Sequence, residues 1–193
     1  MKKQITTKKL VIAALLAALT VAGSAIRIKV PADIVGTSAF HLGNIMCALS
    51  GILLGPWWGG VAAGLGSAIY DMLDPVYISE CWITFLTKGA YGVMAGLVAW
   101  GGRKMWNSHV SHSYLKALLA TVTGAVTYAA LYLAKTYFYG GLLLNGLTPE
   151  AALINVVAKL PATTFNAAVA IIGAPLLAMT ISKALEKAHL TLE

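Results

Sequence analysis

Six runs of apolar residues, separated by short polar or glycine–proline breaks, take up most of this chain. A helix of about 20 apolar residues crosses the hydrocarbon core of a bilayer. Within that core every backbone polar group must be satisfied inside the protein, which favours helices as the crossing elements. The runs are about Leu10–Ile26, Phe40–Leu54, Trp57–Met72, Cys81–Trp100, Leu115–Tyr139 and Ala151–Leu185. Of 193 residues, 59% are hydrophobic and 11% charged, against about 45–50% and about 25% in a soluble domain. That balance excludes a soluble globule, a disordered chain and a nucleic-acid-binding domain. The sequence predicts an all-α integral membrane protein: one six-helix membrane domain over residues 1–193, both termini cytoplasmic, with a short cytoplasmic segment 1–9 and a cytoplasmic loop at about 101–114. The second and third runs are short, and Gly55-Pro56 between them predicts a tight hairpin. The sixth exceeds one crossing and is expected to tilt or bend at Pro161 and Pro175. A cleaved signal peptide is the competing reading of the first run, with lysines in front and Ala22, Gly23 and Ser24 behind; a ridge of small residues on that helix argues for keeping it.

The basic residues set the expected orientation. With the amino terminus inside, the inner face carries Lys2, Lys3, Lys8, Lys9, Arg103, Lys104, Lys116, Lys183 and Lys187, and the outer face only Arg27 and Lys29. The acids Asp33, Asp74, Glu80 and Glu150 fall outside, with Asp71 near that surface. This obeys the positive-inside rule and explains the +7 net charge as topology. Trp57, Trp58, Trp100 and Trp106 fall at the inner interface and Trp82 at the outer one.

Three basic residues remain inside the spans: Lys88, Lys135 and Lys159, one in each of the last three, all in the outer half. An ammonium within a bilayer costs about 2.5–3.5 kcal/mol on insertion scales. Each lysine also lies on a polar stripe at helical spacing. Thr84, Lys88 and Tyr91 form one, Tyr128, Tyr132 and Lys135 a second, and Asn155, Lys159, Thr163 and Asn166 a third. The economical reading is an outward-opening polar pocket between these helices; the competing one is that each lysine snorkels separately to the headgroups. Asp71 is a candidate counter-ion or a plain interfacial carboxylate. His41 and Asn44, at i and i+3 of the second run, are candidate donors to the same cavity, with a merely interfacial histidine as the alternative. Gly60, Gly64 and Ser67 on the third run, and Gly92 and Gly96 on the fourth, permit close helix packing.

On the first run, Ala13 and Ala17, and in parallel Ala14 and Ala18, form a small-residue ridge that packs within the chain or docks a partner. A Walker loop, H-E-x-x-H and a G-x-S-x-G elbow are all absent. The two cysteines, Cys47 and Cys81, and the histidines His41, His109, His112 and His189 make no metal cluster, so neither a metal nor a cofactor is expected. No inverted repeat marks a self-sufficient transporter.

Several motifs stand in order along the chain: Ala13-x-x-x-Ala17; Phe40-His41-Leu42-Gly43-Asn44 running into Leu49-Ser50-Gly51-Ile52-Leu53-Leu54-Gly55-Pro56; Gly60-x-x-x-Gly64-x-Gly66-Ser67 with Asp71 beyond; and Thr84-Phe85-x-x-Lys88-Gly89. In these the chain resembles the substrate-binding subunits (S components) of energy-coupling factor (ECF) vitamin transporters, well over about residues 8–100 and beyond that by size and hydropathy. The resemblance implies a multi-pass subunit of the bacterial cytoplasmic membrane, not an enzyme, that captures a water-soluble vitamin near the outer surface. It implies docking through Ala13 and Ala17 onto a membrane coupling protein (the T component) driven by two ATPase subunits, and toppling in the bilayer to release cargo inside.

Three lysines around a water-poor pocket favour an anionic ligand. Pantothenate is the leading expectation, its carboxylate meeting the lysines and its hydroxyl and amide groups meeting Asn155, Asn166, Tyr128 and Tyr132. Pyridoxine, a hydroxymethyl-pyrimidine and folate are alternatives. A small membrane enzyme and a pocketless scaffold are the competing classes.

Overall fold

The computed structural model describes residues 7–30, 37–101 and 113–187. The expectations for Lys2, Lys3, Asp33, Arg103, Lys104, Trp106, His109, His112 and His189, and for most of the loop at about 101–114, lie outside the described residues.

Helix α1 (Thr7–Ala25) leads into strands β1 (Arg27–Val30) and β2 (Ser38–His41), then α2 (Gly43–Leu73), a 3₁₀ turn at Ile78–Glu80, α3 (Cys81–Trp100) and α4 (Tyr114–Lys135). Helix α4 runs on as a π-helix, Thr136–Leu144, before α5 (Pro149–Lys187). Among the described residues five helical stretches are long and apolar enough to cross a membrane, where the sequence predicts six, and one of the five is two helices meeting at a kink. The difference lies in α2. Its backbone leaves helical geometry at Gly55, with φ 80° and ψ 179°, immediately before Pro56. Only glycine takes that φ without cost, and proline cannot donate the amide that would continue the helix.

The chain reverses there. Cys47 Sγ and Ser67 Oγ, twenty positions apart, come within 3.6 Å, where a straight helix would hold them about 30 Å apart. A Cβ on Gly59 would stand 2.5 Å from the Gly51 Cα, so the two limbs, 43–54 and 56–73, touch backbone to backbone. The first limb is only about 18 Å long by helical rise, short of a hydrocarbon core of about 30 Å. Trp100, at the end of α3, closes this turn: its Nε1 donates to the Ile52 carbonyl at 2.9 Å.

Helix α2 is the centre of the bundle. In its most apolar 18-residue stretch 78% of residues are buried, against 22–33% in the other candidate spans, which leave the rest of their surface for lipid. The expected small-residue stripes are used here. Gly60 abuts the Gly89 carbonyl and Val93, Gly64 abuts Phe85, and Gly92 and Gly96 abut the residues around Gly59 and Pro56.

The helical reading of the second run is corrected at its start. Phe40 and His41 belong to β2, paired antiparallel with β1 in the register Arg27↔His41 and Ile28↔Phe40, and the helix begins at Gly43. The i, i+3 relation assumed for His41 and Asn44 therefore does not hold. Helix α5 runs through Pro161 and Pro175 as one helix of 39 residues, about 58 Å by rise, long enough to extend past one bilayer face.

Candidate functional site

At the end of the bundle opposite the Gly55 turn, the β-hairpin, the segment after α2, and the near ends of α3, α4 and α5 enclose a cavity of about 230 Å³. His41, Asp71, Lys88, Tyr128, Tyr132, Lys135, Asn155, Lys159 and Asn166 all line it. Of the polar residues singled out from sequence, Asn44 and Tyr91 stand behind the wall, 1% and 0% exposed.

Lys88 does not snorkel. Its side chain is buried at 5% exposure; the ammonium donates to Asn44 Oδ1 and stands 3.8 Å over the Tyr128 ring. A charge–ring contact of this kind is worth about 0.5–2 kcal/mol, more when water is excluded. Tyr128 also lies near-parallel to Tyr91 and to Tyr132, with ring centres 5.9 and 5.6 Å away. Asp71, 9% exposed, lies on the same wall within hydrogen-bonding reach of Thr84.

Lys135, at the end of α4, forms an ion pair with Glu80, with the Tyr132 ring 5.4 Å from its ammonium. The π-helix that follows bends this wall around the cavity mouth: Thr136, Gly140 and Leu144 line it, and so does Asn145 just beyond. Asn145 Nδ2 donates back to the Gly140 carbonyl at 2.6 Å. On α5, Asn166 secures the hairpin from both sides. It accepts the His41 N–H and donates to the Ala39 carbonyl, each at 2.9 Å. Lys159 reaches the Thr37 carbonyl at 3.5 Å.

The hairpin is also held by charge. Asp74, just past α2, takes Lys29 at 2.7 Å and Arg27 at 3.7 Å, and the Arg27 guanidinium lies 3.9 Å over the Tyr70 ring. Burial pushes the Asp74 carboxyl up, but the Lys29 hydrogen bond, the Val76 N–H and the two cations together bring it below its ordinary value. Lys29 is correspondingly raised, chiefly by the hydrogen bond to Asp74. Tyr77 donates to the Thr37 carbonyl at 3.1 Å. Burial lowers His41 well below the ordinary imidazole value, and the Lys88 and Arg27 charges act in the same direction. A neutral ring suits its geometry, since Nδ1 accepts the Gly43 N–H at 3.1 Å.

Several wall residues escaped the sequence reading. Arg27, Thr37, Tyr77 and Glu80 lie on the hairpin and the turn segment, where helical spacing carries no information. A lone acid abutting the apolar run Cys81–Trp100 was the available signal for Glu80. On α1, Ala13 is buried and Ala17 half-buried against this chain's own α2; a Cβ on Gly66 would meet the Ala17 carbonyl oxygen at 2.4 Å. Ala14 and Ala18 are exposed.

The arrangement is a polar, aromatic-walled cup, closed below by packed glycines and held at its rim by ion pairs. Over nearly its whole length it has the fold of a crystallised biotin S component of an ECF-type ABC transporter. The match covers 90% of this chain and 94% of that one at TM-score 0.56, with 14% sequence identity. An uncharacterised protein of Pyrococcus woesei is 33% identical over 124 residues, 64% of this chain and 74% of the relative. Residues 4–183 match the family described as ECF-type riboflavin transporter, S component. The chain therefore belongs to the ECF S components, a family of vitamin-binding, multi-pass membrane subunits that work with an energy-coupling module and are not enzymes.

Proposed function

We propose that this chain captures riboflavin, or a close flavin analogue, from the outer side of the membrane and delivers it inward. One observation carries the choice of cargo: the wall cations already have partners in the protein. Lys135 is matched by Glu80, and Lys88 by Asn44 and the Tyr128 ring. The cavity does not need a ligand carboxylate to neutralise three bare ammonium groups, which was the ground for expecting pantothenate. It offers instead the Tyr128 and Tyr132 rings beside lysine and asparagine donors, suited to a flat, uncharged ring with carbonyl acceptors and a hydroxylated chain. The description of the matching family supports the same cargo. Pantothenate is the second reading, favoured by Lys159 beside Asn155 and Asn166 on the α5 wall.

The cavity opens outward in this reading. Outside the spans the opposite end carries Lys8, Lys9, Lys116, Lys183 and Lys187, and the cavity end only Arg27 and Lys29 among the described residues, as the positive-inside rule would have it. Docking onto the T component, with two ATPase subunits behind it, uses the face of α1 that this chain leaves open, Ala14 and Ala18, flanking the Ala13 and Ala17 row.

The test is equilibrium titration of the purified chain, with riboflavin followed by flavin fluorescence and pantothenate by calorimetry. Saturable one-to-one quenching by riboflavin supports the proposal. Saturation by pantothenate without flavin quenching moves the cargo to the second reading. Binding of neither removes the capture role from this cavity.

A further inference from the structure

We propose that Glu80 sets the charge class of the cargo: by occupying the Lys135 ammonium, its carboxylate turns phosphorylated or otherwise anionic forms of the vitamin away from that corner of the cavity. The proposal rests on the capture reading above and goes beyond it, to what the site refuses.

Both residues line the cavity, with the Lys135 side chain 9% and the Glu80 side chain 18% exposed. An ammonium so shielded is stabilised by an opposite charge close by. That charge comes either from a ligand or from the protein, and here the protein supplies it. Glu80 is also held in place. It ends the 3₁₀ turn Ile78–Glu80, and that turn and the start of α3 are each tied to the π-helix beyond Lys135 by a further contact. The Tyr139 hydroxyl donates to the Ser79 carbonyl at 3.3 Å, and the Trp82 and Tyr139 rings meet edge to face at 5.4 Å. A Cβ on Gly140 would lie 3.7 Å from Glu80 Oε1, so the π-helical backbone itself passes close to the carboxylate. An anion entering this corner would face that fixed negative charge at the same range as the lysine. Specificity of this kind is built from repulsion of the wrong partner as much as attraction of the right one, and like charges brought together at a binding surface are strongly disfavoured.

Two readouts on the full chain in detergent decide it. The first uses inorganic phosphate and needs no vitamin. Thermal unfolding is followed in phosphate and in chloride at matched ionic strength. Glu80→Gln should gain a phosphate-dependent rise in melting temperature that the wild type lacks, and that Glu80→Gln with Lys135→Met loses again. The second is the ratio of flavin mononucleotide affinity to riboflavin affinity. Glu80→Gln should raise it at least about tenfold, in line with the loss of one shielded charge contact. Glu80→Asp, which keeps the charge, should hold the ratio near the wild-type value. The charge-swapped variant Glu80→Lys with Lys135→Glu should restore the wild-type ratio, and it supplies the comparison if Glu80→Gln does not fold. A Glu80→Gln protein with no phosphate response, or with a ratio within about twofold of wild type, overturns the proposal. If the wild type binds no flavin at all, the cargo reading fails by itself and the phosphate response still decides the role of Glu80.

Discussion

The buried contact between Lys88 and Asn44 invites a double-mutant cycle. The two residues come from different helices, are 5% and 1% exposed, and share one hydrogen bond from an ammonium to a neutral amide oxygen. A hydrogen bond to a charged group contributes about 1.5–3 kcal/mol. Asn44→Ala leaves the ammonium buried over the Tyr128 ring, 3.8 Å away, without its hydrogen bond, so a loss of about 1.5–3 kcal/mol is expected. Lys88→Met behaves differently. It strands the Asn44 carbonyl, a cost of about 1–3 kcal/mol, but lifts the roughly 2.5–3.5 kcal/mol that an ammonium costs within a membrane; the two nearly cancel. With Lys88 already replaced, removing Asn44 relieves a stranded group instead of creating one. The coupling energy should therefore be at least about 1.5 kcal/mol, well above the 0.3–0.5 kcal/mol within which independent sites add. Unfolding of all four proteins in mixed micelles with increasing dodecyl sulfate, followed by far-ultraviolet circular dichroism, supplies the numbers. Additive single-mutant effects would show that the two side chains do not act as a unit, and the account of how Lys88 is held over the cavity would have to be abandoned.

Other perturbations separate the remaining parts of the account. Gly55→Ala places a Cβ in a left-handed conformation, 3.3 Å from the Trp100 ring. It should cost about 1–3 kcal/mol in the same unfolding assay, and wild-type stability would contradict the turn geometry. Asp74 is held below its ordinary carboxyl value of 3.8, so its contribution is complete above that pH and disappears as pH falls through the lower folded value. Stability measured from pH 7 to pH 3 should decline less steeply in Asp74→Asn, whereas parallel curves would show that the hairpin pairs add nothing. Ala18→Trp on the exposed face of α1 should leave vitamin binding by the isolated chain intact and abolish co-purification with the T component; normal co-purification would place the docking face elsewhere.

The helices were legible because hydropathy and length carry them. Cys81–Trp100 was placed to the residue, and the break at Gly55-Pro56 followed from the two residues themselves. What hydropathy could not resolve was whether a short apolar limb counts as a span, since 43–54 is continuous in helical assignment with 56–73 although the chain doubles back. The strands were invisible for a related reason: β1 and β2 are four residues each, and Phe40 and His41 read equally well as the start of an apolar helix. In the site, the lysine stripes could be placed because residues three and four apart share a helix face. The partners that determine what those lysines do were not legible in the same way. Glu80 is 55 positions from Lys135 and Asn44 is 44 from Lys88. No local pattern links such pairs, so the sequence left three ammonium groups open to be assigned to a ligand, where the protein itself supplies partners for them.

The central claim is that the cavity beneath the hairpin holds a flavin, with Lys88 at its wall. Mass spectrometry of the small molecules released on denaturing the purified protein tests it most directly, comparing wild type with Lys88→Met prepared from the same flavin-fed cells. The account predicts close to one equivalent of riboflavin from the wild type and a severalfold lower yield from the variant. A wild type that releases no flavin, or a variant that carries as much as the wild type, would contradict it.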